Sequence, residues 1–187
     1  MKNKILPAFI LIASLFACTT SRATLIGDTI TISHQFPTLG SVLVVGFPGV
    51  PQSFDTIVEA GTGDLVTINT GGGPAYTVNP EATSVSVDFL RTINFATDAF
   101  NGLVVEGIND SITGASISTN VAGWADSLFV FDAHSFSANW TGLSVNSSSV
   151  FDVTLITDVS VPDAGSTAAL FALSFLALAG VTRRFRI

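Results

Sequence analysis

The chain has 187 residues, and its 14 acidic against 7 basic residues give it a net charge of −7 at neutral pH. All of the acidic residues except Asp163 lie between Thr24 and Ser160, where Arg91 is the only basic residue. Because phosphate binding needs clustered Lys and Arg, this body excludes nucleic acid as a partner and disfavours direct attraction to anionic lipid.

The first 23 residues are typical of a secretory signal peptide. Lys2 and Lys4 form a positively charged start, and residues 5–17 form an apolar stretch of the length that such peptides have. Ser21 and Ala23 supply small residues at the positions that a signal peptidase reads. The sequence therefore predicts cleavage after Ala23 and export of the mature chain.

Cys18 leaves an alternative open at this end of the chain. The stretch Leu15-Phe16-Ala17-Cys18 is similar to a lipoprotein box, although the bulky Phe16 stands where a small residue is usual. If cleavage instead follows Ala23, the mature protein contains no cysteine. Its stability would then come from a packed core rather than from disulfides.

Residues 24–160 have the size of one domain and the composition of a β protein. They are rich in Val, Ile, Thr, Ser, Phe and Gly, which are strand and turn formers. Short apolar runs, several of them alternating, are predicted as strands at 29–33, 41–47, 54–58, 65–70, 84–89, 103–106, 116–119, 128–131, 136–140 and 151–155. Short strands separated by turn signals predict an all-β fold, an antiparallel β-sandwich of jelly-roll-like type.

Glycine-containing segments predict the connections between these strands. Residues 61–64 (Gly-Thr-Gly-Asp) are predicted to close a hairpin between two strands. Residues 71–74 (Gly-Gly-Gly-Pro) are predicted to form a flexible loop outside the sheets, and Asn101-Gly102 a tight turn. Residues 95–101 are expected to form one short helical turn.

The body contains no strong catalytic motif, so we expect a protein that is not an enzyme. There is no G-x-S-x-G elbow and no phosphate-binding P-loop. His34 and His134 are too few and too far apart in sequence to indicate a zinc site, so no metal ligand is assigned. A triad drawn through His134, Asp132 and one of the many serines carries no weight, because the serines are so numerous.

Two weaker binding interpretations stay open, calcium and sugar. Carboxylate and amide oxygens suit calcium; the candidate groups are Asn109-Asp110, Asp126 with Asp132, Asp55 with Glu59, and Asp64. The default for these residues is a solvated turn, so no cofactor is expected. The aromatic residues Trp124, Trp140 and Tyr76 could line a sugar-binding face. Trp140, however, shares the apolar face of Phe136 and is expected in the core. Trp124, in a loop-like stretch, is the candidate ligand-binding residue.

The last 27 residues combine a short polar motif, an apolar run and a basic end. The 19 residues from Ala164 to Thr182 carry no charge. As a helix they would be about 28 Å long, close to the roughly 30 Å of the bilayer core. Arg183, Arg184 and Arg186 would stop translocation and stay in the cytoplasm, so the body is expected outside.

This tail resembles the PEP-CTERM class of bacterial sorting signals, in its VPDSG-CTERM variant. The residues that match the motif are Val161, Pro162, Asp163, Gly165, Ser166 and Thr167, with Ala164 where serine is more usual. The resemblance implies that an exosortase recognises the chain, processes it at or near the motif and exports it to the cell surface or the extracellular polymer matrix. It implies no enzyme activity in the chain itself.

The sequence thus predicts a signal peptide (1–23), a β-sandwich body (24–160) and a sorting signal (161–187). The sorting signal divides into a motif at 161–167, a membrane helix at about 164–182 and a basic end at 183–187. We expect a non-enzymatic surface or matrix protein whose precursor is anchored in the membrane. The alternative is a carbohydrate-binding module or adhesin that is delivered by the same route and has extracellular polysaccharide as its partner.

Overall fold

A computed structural model describes residues 24–46, 48–61 and 65–158. The predicted signal peptide with Ala23 and Cys18, the sorting motif, the membrane helix and the arginine cluster all lie outside these residues. Within the described part of the chain, no helix is long and apolar enough to cross a membrane. The fold class is confirmed as all-β, since the sheets are antiparallel and the described helical structure is one 3₁₀ turn, Asp126–Leu128.

Most strands belong to two antiparallel five-stranded sheets. Sheet I has the order β11 (Phe129–Phe131), β12 (Ser135–Asn139), β9 (Gly102–Glu106), β1 (Thr29–Gln35) and β4 (Ser53–Ile57). Sheet II has the order β10 (Ile112–Thr119), β14 (Val150–Thr157), β7 (Ser84–Phe89), β6 (Gly73–Pro80) and β5 (Val66–Thr70). Two short ladders pair β2 (Val44–Val45) with β3 (Val50–Pro51) and β8 (Ile93–Asn94) with β13 (Ser144–Val145).

Period-two alternation explains which side chains form the core. In β7, Val85, Val87 and Phe89 are buried, while the residues between them are half-buried or exposed. In sheet I, Ile30 and Ile32 are likewise buried at alternate positions of β1. The inner faces of both sheets contribute to one hydrophobic cluster, so the body is a sandwich with a single core.

Aromatic rings occupy the middle of this core. The Trp140 ring makes edge contacts with Tyr76 and Phe89 at centroid distances of 5.2 Å each, and with Phe151 at 5.7 Å. Edge-to-face contacts at such distances are favourable for π systems. Trp140 is fully buried, as its alternation with Phe136 and Ala138 predicts.

The hairpin predicted at residues 61–64 is wrong. The strands on either side of it do not pair, because β4 is the edge of sheet I and β5 is the edge of sheet II. Consecutive strands β4 and β5 therefore belong to different sheets. Val66 and Ile68 of β5 are buried on the core face of sheet II. Because these side chains pack into the core from that sheet, β5 does not pair with β4 in sheet I.

The flexible loop predicted at residues 71–74 is also wrong. Gly71 and Gly72 form a tight turn between β5 and β6, and the strand begins at Gly73, whose φ of +98° glycine adopts without strain. Pro74 is tolerated in β6 because pairing with β7 begins only at Tyr76, so its missing N–H removes no bond from that ladder.

The structure corrects two further predictions. The strand expected over 41–47 is reduced to a single bridge between Val42 and Gln35 and the two-residue β2. The helical turn expected over 95–101 is absent, because backbone groups there bond to the end of β12 instead. The Asp98 N–H donates to the Thr141 hydroxyl at 2.9 Å, and the Asn101 N–H donates to Asn139 Oδ1 at 3.0 Å.

Candidate functional site

A buried polar cluster is centred on His34, at the inner face of β1. His34 is 2 % exposed, and its Nδ1 lies 2.8 Å from the hydroxyl of Tyr76, across the sandwich on β6. Its Nε2 lies 3.1 Å from Asn101 Oδ1, and the Asn101 amide in turn donates to the Ala96 carbonyl at 3.2 Å. The group thus ties sheet I, sheet II and the 95–101 loop together.

Burial and hydrogen bonding together set the state of this histidine. Because Asn101 Oδ1 can only accept, His34 Nε2 carries a proton, and in the neutral ring Nδ1 accepts the proton of the Tyr76 hydroxyl. Burial lowers the pKa of His34 to about 4, against a smaller opposing effect of the Asn101 hydrogen bond. Burial also raises the pKa of Tyr76 well above its usual value. A neutral, fully occupied histidine suits a structural role.

His134 does not form a relay with Asp132. Its backbone N–H, not its ring, donates to Asp132 Oδ1 at 2.8 Å, and its ring Nδ1 lies 2.8 Å from the Ile108 carbonyl. Asp132 also accepts a hydrogen bond from the Ser135 hydroxyl at 2.8 Å. These bonds, with the His134 N–H first, hold the pKa of the Asp132 carboxyl below its usual value.

Trp124 is not the exposed platform that its loop-like surroundings suggested. The side chain is half-buried, and its ring packs edge-on against Phe151 at a centroid distance of 4.6 Å. Its Nε1 is buried and has no hydrogen-bond partner among the described residues. Because the Trp124 ring already contacts Phe151 of the core, stacking of a ligand on it stays only a prediction.

The calcium candidates are dispersed. Asp55 accepts a hydrogen bond from Thr31 at 2.7 Å, and Asn109 is bound through both its N–H groups to the buried Asp28. Among the residues that the structure describes, no group of three or more His, Cys, Asp or Glu is arranged to hold a metal ion. Asp64 lies outside the described residues.

A groove of about 280 Å³ crosses the outer face of sheet I. Its floor contains Val104 and Ser137, which stand opposite each other on β9 and β12. One wall is the end of β11, where Val130 and Phe131 are 64 % and 40 % exposed. Leu39, 61 % exposed, belongs to the other wall.

A loop after β1 builds that second wall. Residues 36–43 fold over the outer face, where the Gln35 side chain accepts a hydrogen bond from the Gly40 N–H and donates to the Ser33 hydroxyl at 3.2 Å. Both Ser33 and Gln35 are buried although they point away from the core. The groove is therefore held by polar bonds made on the outside of the sheet.

Two carboxylates, those of Glu106 and Asp132, line the groove. They share a neighbour, because Ser135 stands opposite Glu106 in the β9–β12 register and donates its hydroxyl proton to Asp132. Opposed residues in an antiparallel pair have Cβ atoms about 5 Å apart. None of the described residues that line the groove is Lys or Arg. Chemically, the groove is an apolar slot with negative charge at one side.

Sequence reasoning missed this groove. The sequence predicts Glu106 only as the end of a strand, and Asp132 only as a calcium or triad candidate. The available signal was the exposed apolar pair Val130 and Phe131 followed directly by an acidic residue. The covering loop, which brings Leu39 opposite them, leaves no pattern that a local reading of the sequence detects.

A comparison with family models identifies the end of the chain. A model described as the VPDSG-CTERM motif matches residues 160–185. This C-terminus is a PEP-CTERM-like sorting signal. From the family, the chain is inferred to be an exosortase substrate, an exported protein of the cell surface or extracellular space.

The VPDSG-CTERM match covers the predicted motif residues and Arg183 and Arg184, with Arg186 just beyond it. The part played by each of these residues stays a prediction. No curated protein and no solved structure matches the chain.

Proposed function

We propose that the protein is a non-enzymatic surface or extracellular-matrix protein, and that an exosortase processes its precursor while the apolar tail holds it in the membrane. The VPDSG-CTERM motif at residues 160–185 is the observation that carries this proposal. Asp158 is the first residue after β14, and the matched segment begins at residue 160. The sorting signal therefore follows the folded body almost at once.

The state of the histidines supports a body without catalysis. His34 is neutral at physiological pH, and both of its ring nitrogens have protein partners inside the core. The His134 ring is bonded to a backbone carbonyl. A general base needs a nitrogen that can reach a substrate proton, and the geometry of His34 does not offer one.

The proposal is tested by measuring whether the exosortase processes the precursor at the motif. Because a residue before proline favours extended backbone, Val161-Pro162-Asp163 suits an active-site groove that binds a strand-like peptide. A charge-assisted contact of Asp163 with a basic group of the exosortase would contribute about 1.5–3 kcal/mol. We therefore expect Asp163→Ala to slow processing by about ten- to a hundredfold.

The experiment follows the tagged full chain by mass spectrometry and cell fractionation, in cells with and without the exosortase. In its presence, a product without the residues after the cleavage site should leave the inner membrane. Asp158→Ala is the matched control, an acidic residue just ahead of the motif, and should be processed normally. Retention of the complete tail in exosortase-producing cells would show that the segment is only an anchor.

The membrane-anchored precursor has its own test. A reporter that is active only outside the cytoplasm should work when fused at residue 160 and fail when fused at residue 187, because the arginines stay inside. The opposite result would reverse the orientation.

A further inference from the structure

We propose that the groove on the outer face of sheet I binds an arginine side chain of a different protein, as the anchor of a protein–protein contact. This inference goes beyond sorting, since it concerns what the body does after delivery. It stands on the groove that Val130, Phe131, Leu39, Glu106 and Asp132 line.

The negative charge of the groove favours a positively charged ligand. Asp132 is kept ionised by two hydrogen bonds, and Glu106 lies one cross-strand pair away with no basic residue among the groove's described lining. Uronic acids, phosphates and acidic peptides would be repelled. A cation placed beside both carboxylates would gain charge-assisted hydrogen bonds to each.

The apolar walls narrow the choice from any cation to a long basic side chain. Arginine has an apolar stem that packs along exposed Val130 and Leu39, while its head stays polar. Its planar guanidinium can donate hydrogen bonds to two carboxylates at once. Lysine, with one compact ammonium group, offers fewer of these contacts.

The groove's rim favours a protein over a free small molecule. Val130 and Leu39 are each more than half exposed, so the apolar surface continues past the slot that the guanidinium would fill. A free polyamine would leave that surface in water. In protein interfaces, a buried arginine anchor surrounded by apolar contacts is a common arrangement.

A second copy of the body is a poor occupant. Arg91 is the only Lys or Arg between residues 24 and 160. Its guanidinium already donates to the Pro74 carbonyl and the Thr70 hydroxyl, over the turn between β5 and β6 on the other sheet. The partner is therefore expected to be a different and more basic surface protein.

The test uses the purified full chain in detergent and a fluorescent peptide, acetyl-Ser-Leu-Arg-Leu-Ser-amide, followed by fluorescence anisotropy. We expect the peptide with citrulline in place of arginine, which is neutral but of the same shape, to bind at least tenfold more weakly. Raising the salt from 20 to 300 mM should weaken binding of the arginine peptide severalfold, because exposed charge pairs are screened.

Variants locate the binding. Glu106→Gln should weaken binding at least fivefold, since among the described contacts the Glu106 side chain holds no hydrogen bond that its loss would break. Asp88→Asn, which removes a carboxylate from the exposed face of β7, is the matched control and should stay within twofold. Asp132→Asn is less suitable, because Asp132 also orders the turn between β11 and β12.

Several outcomes would overturn the proposal. Equal binding of the citrulline peptide would make the slot merely apolar. Displacement by a neutral oligosaccharide would assign the groove to sugar, and equal competition by spermidine would assign it to free polyamines. No binding at millimolar peptide, or no effect of Glu106→Gln, would dismiss the site. None of these results bears on processing by an exosortase.

Discussion

The two sheets of the sandwich differ in the kind of side chains that they bury. All of the buried polar residues in the described part of the chain except Ser149 lie in or directly beside strands of sheet I. Sheet II presents to the core an almost purely apolar and aromatic face, with Tyr76 as its polar contribution. The two layers contribute to one core, yet nearly all of the buried polar side chains among the described residues belong to or adjoin sheet I.

The connections explain this difference. The strands β5, β6 and β7 of sheet II follow one another through short turns and pair in sequence. Sheet I is crossed by the 36–43 and 95–101 segments, whose backbone groups must find partners when they are covered. Gln35 and Asn101 supply those partners. Buried polar residues therefore mark the places where loops rather than strands complete the fold.

The largest expected loss of stability comes from removing an aromatic side chain of the core between the two sheets. Trp140→Ala should destabilise the body by about 3–5 kcal/mol, because it opens a cavity among Tyr76, Phe89 and Phe151. Chemical denaturation would measure the loss. Trp124→Ala, at a half-buried position with one ring contact, should cost clearly less. Equal costs would show that the core does not centre on Trp140.

Gly102 tests how closely sheet I is packed. A Cβ there would lie far inside the contact distance of the Ala138 carbonyl oxygen on β12. Because the obstacle is backbone, we expect Gly102→Ala to cost about 3 kcal/mol, at the upper end of overpacking effects. In Gly27→Ala, the new methyl group meets open space and the only penalty is a φ of +92°, about 1 kcal/mol. Thermal unfolding of both variants should show this order.

His34 should make the stability of the body depend on pH. The pKa is about 4 in the folded chain, against 6.5 for an ordinary histidine, so in this interval the unfolded chain binds a proton that the folded chain does not. The free energy of unfolding should therefore fall as the pH drops from about 6.5 to about 4, by up to about 3 kcal/mol. The contribution of His34 should level off at lower pH, where the ring is protonated in both the folded and the unfolded chain.

Urea titrations at several pH values would measure this dependence on His34. His34→Gln should remove most of the slope between pH 4 and 6.5, while His134→Gln should retain it. A slope that survives in His34→Gln would assign the effect to the carboxylates instead.

The smallest expected effect concerns the polar border of sheet I. Asp28 accepts two hydrogen bonds from Asn109, one from the backbone N–H at 3.0 Å and one from the side chain at 2.6 Å. Asp28→Asn turns one acceptor into a donor and should cost about 1–2 kcal/mol. Asp55→Asn, at an exposed pair with Thr31, should cost less. Denaturation midpoints of the two variants would compare them.

Local pattern predicted most of the strands but missed β6, and it predicted the neighbours of each strand poorly. Alternation located β1, β7 and β14, since a half-buried strand requires it. It could not show that β9 lies between β1 and β12, because strand order depends on packing over long sequence distances. The wrong hairpin at residues 61–64 has the same origin: two adjacent strands were assumed to pair.

The candidate sites divide in a similar way. The sorting signal is a linear motif, so its residues can be read without a fold, and the family match agrees with that reading. The groove combines Leu39, Glu106 and Val130, which come from three separated segments. No single segment carries the combination. The loop-like sequence around Trp124 gives no sign of the Phe151 ring beside it, so the half-buried position of this residue could not be predicted.

The position of β14 has a consequence for the timing of folding. Among the described strands it is the last to be synthesised, yet it lies inside sheet II, hydrogen-bonded to β10 on one side and β7 on the other. Until residue 157 has emerged from the export channel, β10 has no neighbour and the sheet remains in two parts. The sorting motif follows within a few residues. Completion of the body and arrival of its membrane signal are thus nearly simultaneous, and a chain that stalls before β14 would be delivered unfinished.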